Sequence, residues 1–126
     1  MVVAAGNLNK DASDFSPARV ERVITVAAST IDDTKADLSN YGAPVNIWAA
    51  GVNIISTRTG GETEIRKGTS MACPHVAGFA AYLLSLDNSL TPVKIAAIID
   101  KKALDGVLKR VREFFSFRIA RLTSGR

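Results

Sequence analysis

Short, uninterrupted apolar runs alternate with polar loops over the first half of the chain. Residues 2–5, 23–28 and 45–49 each read as a strand, and residues 54–57 as a fourth. Apolar runs of four to six residues suit strands buried on both faces of a parallel sheet better than half-exposed ones. The intervening stretches LNKDASDFSPARVER and IDDTKADLSNYGAP are polar loops. A turn at Gly60-Gly61 makes residues 62–66 an arm of a hairpin.

The pattern then changes. Residues 69–86, TSMACPHVAGFAAYLLSL, are small and apolar on every side, which predicts a buried helix. A second helix is expected from about Pro92, with Thr91 as its N-cap and Pro92 in the first position. The class is α/β. Helices normally cover both faces of a parallel sheet, and two helices on four short strands leave the layers incomplete. A strand starting at residue 2 therefore leads us to expect a chain that begins mid-domain.

Length and composition narrow this little further. A chain of 126 residues with 47% apolar content supports one small core. No run of 18 apolar residues is present to span a membrane, and the first residues lack the pattern of a signal peptide. The single cysteine, Cys73, permits no internal disulfide and reads as a small buried thiol. No metal-type spacing of Cys or His occurs.

The net charge of +4 is unevenly placed. Residues 1–100 carry 8 Lys+Arg against 10 Asp+Glu, whereas residues 101–126 carry 8 against 2. A body at −2 gives no reason to expect a nucleic-acid partner. In the tail, Leu108, Val111, Phe115, Ile119 and Leu122 form a helical stripe opposite Lys109, Arg110, Arg112 and Arg121. We therefore divide the chain into a body, 1–105, and a basic amphipathic tail, 106–126. Such a tail can contact an anionic membrane or acidic partner, pack on its own domain, or be foreign to it.

One stretch carries candidate chemistry. GTSMACPHVAG, residues 68–78, sets Ser70 at a helix start and His75 five residues on. Five helical residues turn about 500°, which points His75 roughly 140° away from Ser70. His75 therefore cannot serve as the base for Ser70, and we expect a packed, hydrogen-bonded core histidine. It is also the only histidine in the chain.

This stretch resembles the nucleophile signature of the subtilisin-like serine proteases. AAGN at 4–7 resembles the segment that supplies that family's oxyanion-hole asparagine. SNYG at 39–42 and LTP at 90–92 follow in the family's order. The likeness is nearest the proteinase-K-like fungal branch and covers roughly residues 2–105. It implies the C-terminal part of a parallel-sheet peptidase domain with a buried nucleophile helix. It further implies Ser70 as nucleophile, Asn7 as side-chain donor to the oxyanion, and Ala4, Ala5, Gly6 and Thr69 at the substrate. A serine at a helix start offers a free N–H near the positive dipole end, which suits stabilisation of an oxyanion.

In that family the catalytic acid and histidine precede the serine, and neither of their motifs occurs here. We therefore expect a serine endopeptidase segment that is inert by itself. The alternatives are a pseudoprotease piece that binds peptide, or membrane and anion binding through the tail. The partners implied are a peptide or protein substrate and the missing N-terminal part of the domain. Some members bind calcium, but Asn46 stands where a ligand carboxylate is expected, and a neutral amide is a weaker ligand for a hard cation. No metal site is assigned. A secreted or vacuolar location follows from the resemblance.

Overall fold

The computed structural model describes residues 1–109 and 118–119. Three strands, β1 (Val2–Ala4), β2 (Ile24–Ser29) and β3 (Ile47–Ala50), lie parallel and in sequence order. Val3 sits beside Thr25, and Ala27 beside Trp48. The fourth run does not join them. β4 (Ile54–Thr57) pairs antiparallel with β5 (Thr63–Arg66) as a separate hairpin and takes no part in the parallel layer. Two helices follow, α1 (Thr69–Leu86) and α2 (Pro92–Lys102), then β6 (Leu104–Asp105) and β7 (Arg118–Ile119). The larger sheet has the order β1-β2-β3-β7-β6.

The continuous apolar runs are explained by burial on both faces. Successive strand side chains point to opposite faces. Val26, Ala28, Ile47 and Ala49 enter one core with Ala72, Val76 and Leu83 of α1 and Ile95 and Ile99 of α2. Their sequence neighbours Ala27 and Trp48 enter a second core with Ala5, Ala12, Ala18, Val45 and Leu108. Both faces are covered, the first by helices and the second largely by loops.

The helix α1 departs from expectation. Its composition is apolar all round, yet only Thr69, Ala72, Val76 and Leu83 are buried. Tyr82, Leu84 and Leu86 are exposed. His75 is likewise not a core residue. It is exposed, with Nδ1 2.9 Å from the Met71 carbonyl one turn earlier. Pro74 lies in the second turn, where its missing N–H leaves the Ser70 carbonyl without its helical donor. Among the described residues no helix is long and apolar enough to cross a membrane.

The helix α2 starts as expected. The Thr91 hydroxyl accepts from Lys94 N–H at 3.4 Å, and Pro92 occupies the first turn. The bond is long and exposed, so Thr91→Ala should cost about 0.5–1 kcal/mol, at the low end for N-caps. Urea denaturation of the variant measures it.

The tail differs from a continuous amphipathic helix. Leu108 is buried in the Trp48 core, Lys109 bridges Thr34, and Arg118–Ile119 is a strand that pairs with Trp48 of β3 and Leu104 of β6. A segment inserted between two strands is held by ladder pairing on both sides, and this overrides a helical apolar period. The stripe positions Val111, Phe115 and Leu122 lie outside the described residues.

Candidate active site

Ser70 is placed by the ends of two strands. In a parallel sheet, sites collect beyond the carboxyl ends of the strands. The chain leaves β1 through Gly6-Asn7 and leaves β3 through Gly51, and α1 begins against both. Gly68 donates its N–H to the Gly51 carbonyl at 2.8 Å, and Gly6 donates its N–H to the Thr69 hydroxyl at 3.2 Å. The N-terminus of the helix is thereby fixed over the strand ends.

The first turn of a helix leaves backbone donors without intrahelical acceptors. Gly68 has no side chain to cap them. Asn7, 62 residues earlier in sequence, does so: its Oδ1 accepts from Thr69 N–H and from Thr69 Oγ1, both at 2.9 Å. Met71 and Ala72 donate to the Gly68 carbonyl at 3.0 and 3.3 Å. The Ser70 N–H has no acceptor among the described residues. Two donors therefore face solvent at the helix start: the Ser70 N–H and the Asn7 amide Nδ2. The bonds from Thr69 set which end of the Asn7 amide is which. With Oδ1 turned to Thr69, Nδ2 is the end left for a ligand. Ser70 and Asn7 are both exposed.

Thr69, expected at the substrate, lies beneath the helix start. It is fully buried, and its hydroxyl is taken up by Gly6 and Asn7, so it orients the asparagine. Ala5 is also buried and faces the second core. Of the three wall residues, Ala4 and Gly6 remain half-buried at the surface.

A further residue organises the site. Asn40 is fully buried and brackets Asn7 on both sides. Its Oδ1 accepts from Leu8 N–H at 2.9 Å and Lys10 N–H at 3.1 Å, and its Nδ2 donates to the Ala5 carbonyl at 2.9 Å. Its own N–H donates to the Gly6 carbonyl at 2.9 Å. Gly6 must be glycine here. It sits at φ +103°, and a Cβ would fall 2.5 Å from Asn40 Nδ2. Ser-Asn-Tyr-Gly is visible in the sequence, but a polar loop tetrapeptide gives no sign that its asparagine is internal.

The surroundings are polar and partly braced. Lys35 Nζ donates to Asn9 Oδ1 at 2.6 Å and lies 5.5 Å from the centre of the Tyr41 ring. Burial lowers the Lys35 pKa, with Asp37 opposing. Burial also pushes the Cys73 thiol up, one turn beyond Ser70. A cleft of about 370 Å³ reaches Met71, next to Ser70 in the chain, and is lined also by Ser56, Arg58, Glu64 and Arg66, with Arg66 Nε 2.6 Å from Glu64 Oε1. Asn46 is remote from these groups in its bonding, as its Oδ1 accepts from Thr25 N–H at 2.7 Å.

The sequence profile described as "Subtilase family" matches residues 1–117. The chain is 58% identical over 92 residues to "Subtilisin-like protease 6" of Trichophyton rubrum, covering 73% of this chain and 22% of that protein. It is 48% identical over 111 residues to "Subtilisin-like protease 1" of Pseudogymnoascus destructans, covering 86% and 28%. A solved cold-adapted subtilisin-like serine proteinase superposes with a TM-score of 0.90 at 37% identity, over 94% of this chain and 43% of that one. The chain thus spans about a quarter of the curated relatives and less than half of the solved proteinase.

Proposed function

Because the chain belongs to the subtilase family, we propose that it is the nucleophile-bearing part of a serine endopeptidase site. Ser70 Oγ attacks the carbonyl carbon of a peptide bond and forms an acyl-enzyme, and the leaving amine takes a proton. The tetrahedral oxyanion accepts from Ser70 N–H and Asn7 Nδ2. Both donors are set in place before substrate arrives, so their alignment costs nothing during reaction. Ala4 and Gly6 line the substrate cleft, and Thr69 and Asn40 hold the oxyanion donors in register. The observation that carries this reading is the long-range cap of Asn7 on Thr69, which leaves two donors beside one exposed serine. A secreted or vacuolar setting accords with the family.

The serine needs a base to take its proton. The sole histidine, His75, is bonded back to Met71 and lies on the wrong side of the helix. These 126 residues alone should therefore leave the serine unactivated. The test is intact-mass analysis after exposure to a fluorophosphonate, beside Ser70→Ala. The expected result is no adduct on a chain that circular dichroism shows to be folded. An adduct confined to Ser70 would overturn the claim that the chain alone lacks a base.

A further inference from the structure

The hairpin of β4 and β5 runs straight into the helix that carries Ser70: Arg66 ends β5, and the N-cap Gly68 lies two residues on. Its register decides which side chains share a face. Ile55 pairs with Ile65, Ser56 with Glu64 and Ile54 with Arg66. Ile55 and Ile65 therefore point one way, and Ser56, Arg58, Glu64 and Arg66 the other. The two isoleucines are left exposed, and the polar set lines the cleft that reaches Met71. Its charges are unequal. Among the described residues that line it, Arg58 and Arg66 stand against Glu64 alone. Glu64 is already engaged by Arg66 Nε at 2.6 Å, which leaves the two terminal nitrogens of Arg66 without a partner among the described residues. Arg58 pairs with Glu62 at 3.6 Å, and both side chains are more than half exposed. Such a pair is screened by water and holds the guanidinium only weakly.

We propose that this cleft selects an acidic side chain, and that the side chain belongs to the peptide residue just after the bond that Ser70 attacks. Two guanidinium groups can each present paired N–H donors to an incoming carboxylate. A lysine side chain would meet the same two cations, with the one carboxylate already taken. The direction of the peptide follows from the other flank of Ser70. The oxyanion sits at Asn7 Nδ2, and the residues before the bond lie along Ala4 and Gly6. An extended peptide carries its two arms away from the carbonyl carbon on opposite sides, so the residues after the bond leave toward the hairpin. At about 370 Å³ the cleft is at the small end of ligand pockets, which run from about 300 to 1,000 Å³, so it suits a side chain or two and not a long segment. The placement after the bond rests on the proposed function; the charge preference of the cleft does not.

The test titrates the isotope-labelled chain with three peptides, acetyl-Ala-Ala-Phe-Xaa-Ala-amide with Xaa as Glu, Gln or Lys, and follows amide shifts by NMR. The Phe before the bond matches the small walls at Ala4 and Gly6. We expect the Glu peptide to bind about fivefold tighter than the Lys peptide at low salt, with Gln between them, and the difference to shrink as salt is added. It should shift Glu64, Arg66 and Met71 together with the Ser70 N–H and the Asn7 side-chain amide. Arg58→Gln combined with Arg66→Gln should remove the preference, and Arg66→Glu alone should turn it toward lysine. Both positions are exposed, so these changes should leave the fold intact. Equal affinities, a tighter Lys peptide, or no binding by the folded chain would overturn the proposal. A Glu preference that survives the double substitution would overturn its placement in this cleft. A Glu preference that moves Glu64, Arg66 and Met71 but not Ser70 or Asn7 would uphold the acid-selecting cleft. It would overturn the peptidase reading on which the place after the bond rests.

Discussion

Asn40→Ala should lower the unfolding free energy by about 3 kcal/mol, read as a shift in the urea midpoint at unchanged slope. The substitution removes one acceptor shared by Leu8 N–H and Lys10 N–H and one donor to the Ala5 carbonyl. Leu8 and Lys10 are exposed, so water can replace part of what they lose. Ala5 is buried, and its carbonyl is left without the side-chain donor in a fully enclosed place. Asn40→Asp separates the two halves of the interaction. It keeps the acceptor for Leu8 and Lys10 but sets a carboxylate oxygen against the Ala5 carbonyl. The aspartate variant should therefore be no more stable than the alanine one. If aspartate restored wild-type stability, the bond to Ala5 would carry none of the effect. Because Asn40 holds the backbone on both sides of Asn7, either variant should also loosen the Asn7 side chain it brackets.

A second large effect is expected at Gly51. Gly51→Ala should cost about 2–3 kcal/mol, and its origin is crowding rather than lost contact. A Cβ there would fall 2.6 Å from Ala28 Cβ, 2.8 Å from the Gly68 carbonyl and 3.2 Å from Ala72 Cβ. Two of these atoms are short core side chains and the third is backbone, so nothing flexible can move aside. The relief available is a shift of the α1 N-terminus away from β3, which also lengthens the Gly68-to-Gly51 hydrogen bond. Thermal unfolding measures the stability term. Loss of protection from hydrogen exchange at Gly68 N–H, beyond the global loss, would mark the local shift.

The elements themselves were legible because local rules governed them. The bounds of α1 follow from the Gly68 break and the polar Asp87-Asn88-Ser89 stretch, and those of α2 from Thr91-Pro92. The apolar runs at Val26–Ala28 and Ile47–Ala49 announced two-sided burial. What sequence pattern could not supply was partnership. Residues 54–57 and 23–28 both read as apolar strands, and only the hairpin turn at Gly60-Gly61 decided that the former pairs with residues 63–66. The exposure of His75 and Tyr82 was hidden for a related reason. Helix composition tells how much apolar surface there is but not which part of it the fold covers. At the site, Ser70 and Asn7 were visible through a resemblance, whereas Asn40 and the inward turn of Thr69 depend on hydrogen bonds across about thirty and sixty residues.

Those long spans bear on when a site can exist at all. Thr69 meets Gly6 and Asn7 across 63 and 62 residues, so the Ser70 N–H and the Asn7 amide are brought together only by closing most of the described chain into a ring. Closure of a loop that long is entropically unfavourable until the sheet beneath it has formed. Contacts of high sequence separation are correspondingly late and slow to appear. No short peptide cut from this chain would hold the two donors at the serine, and a partly folded chain would not either. The juxtaposition of these two donors is therefore a property of the finished tertiary structure, and it serves as its own checkpoint on folding.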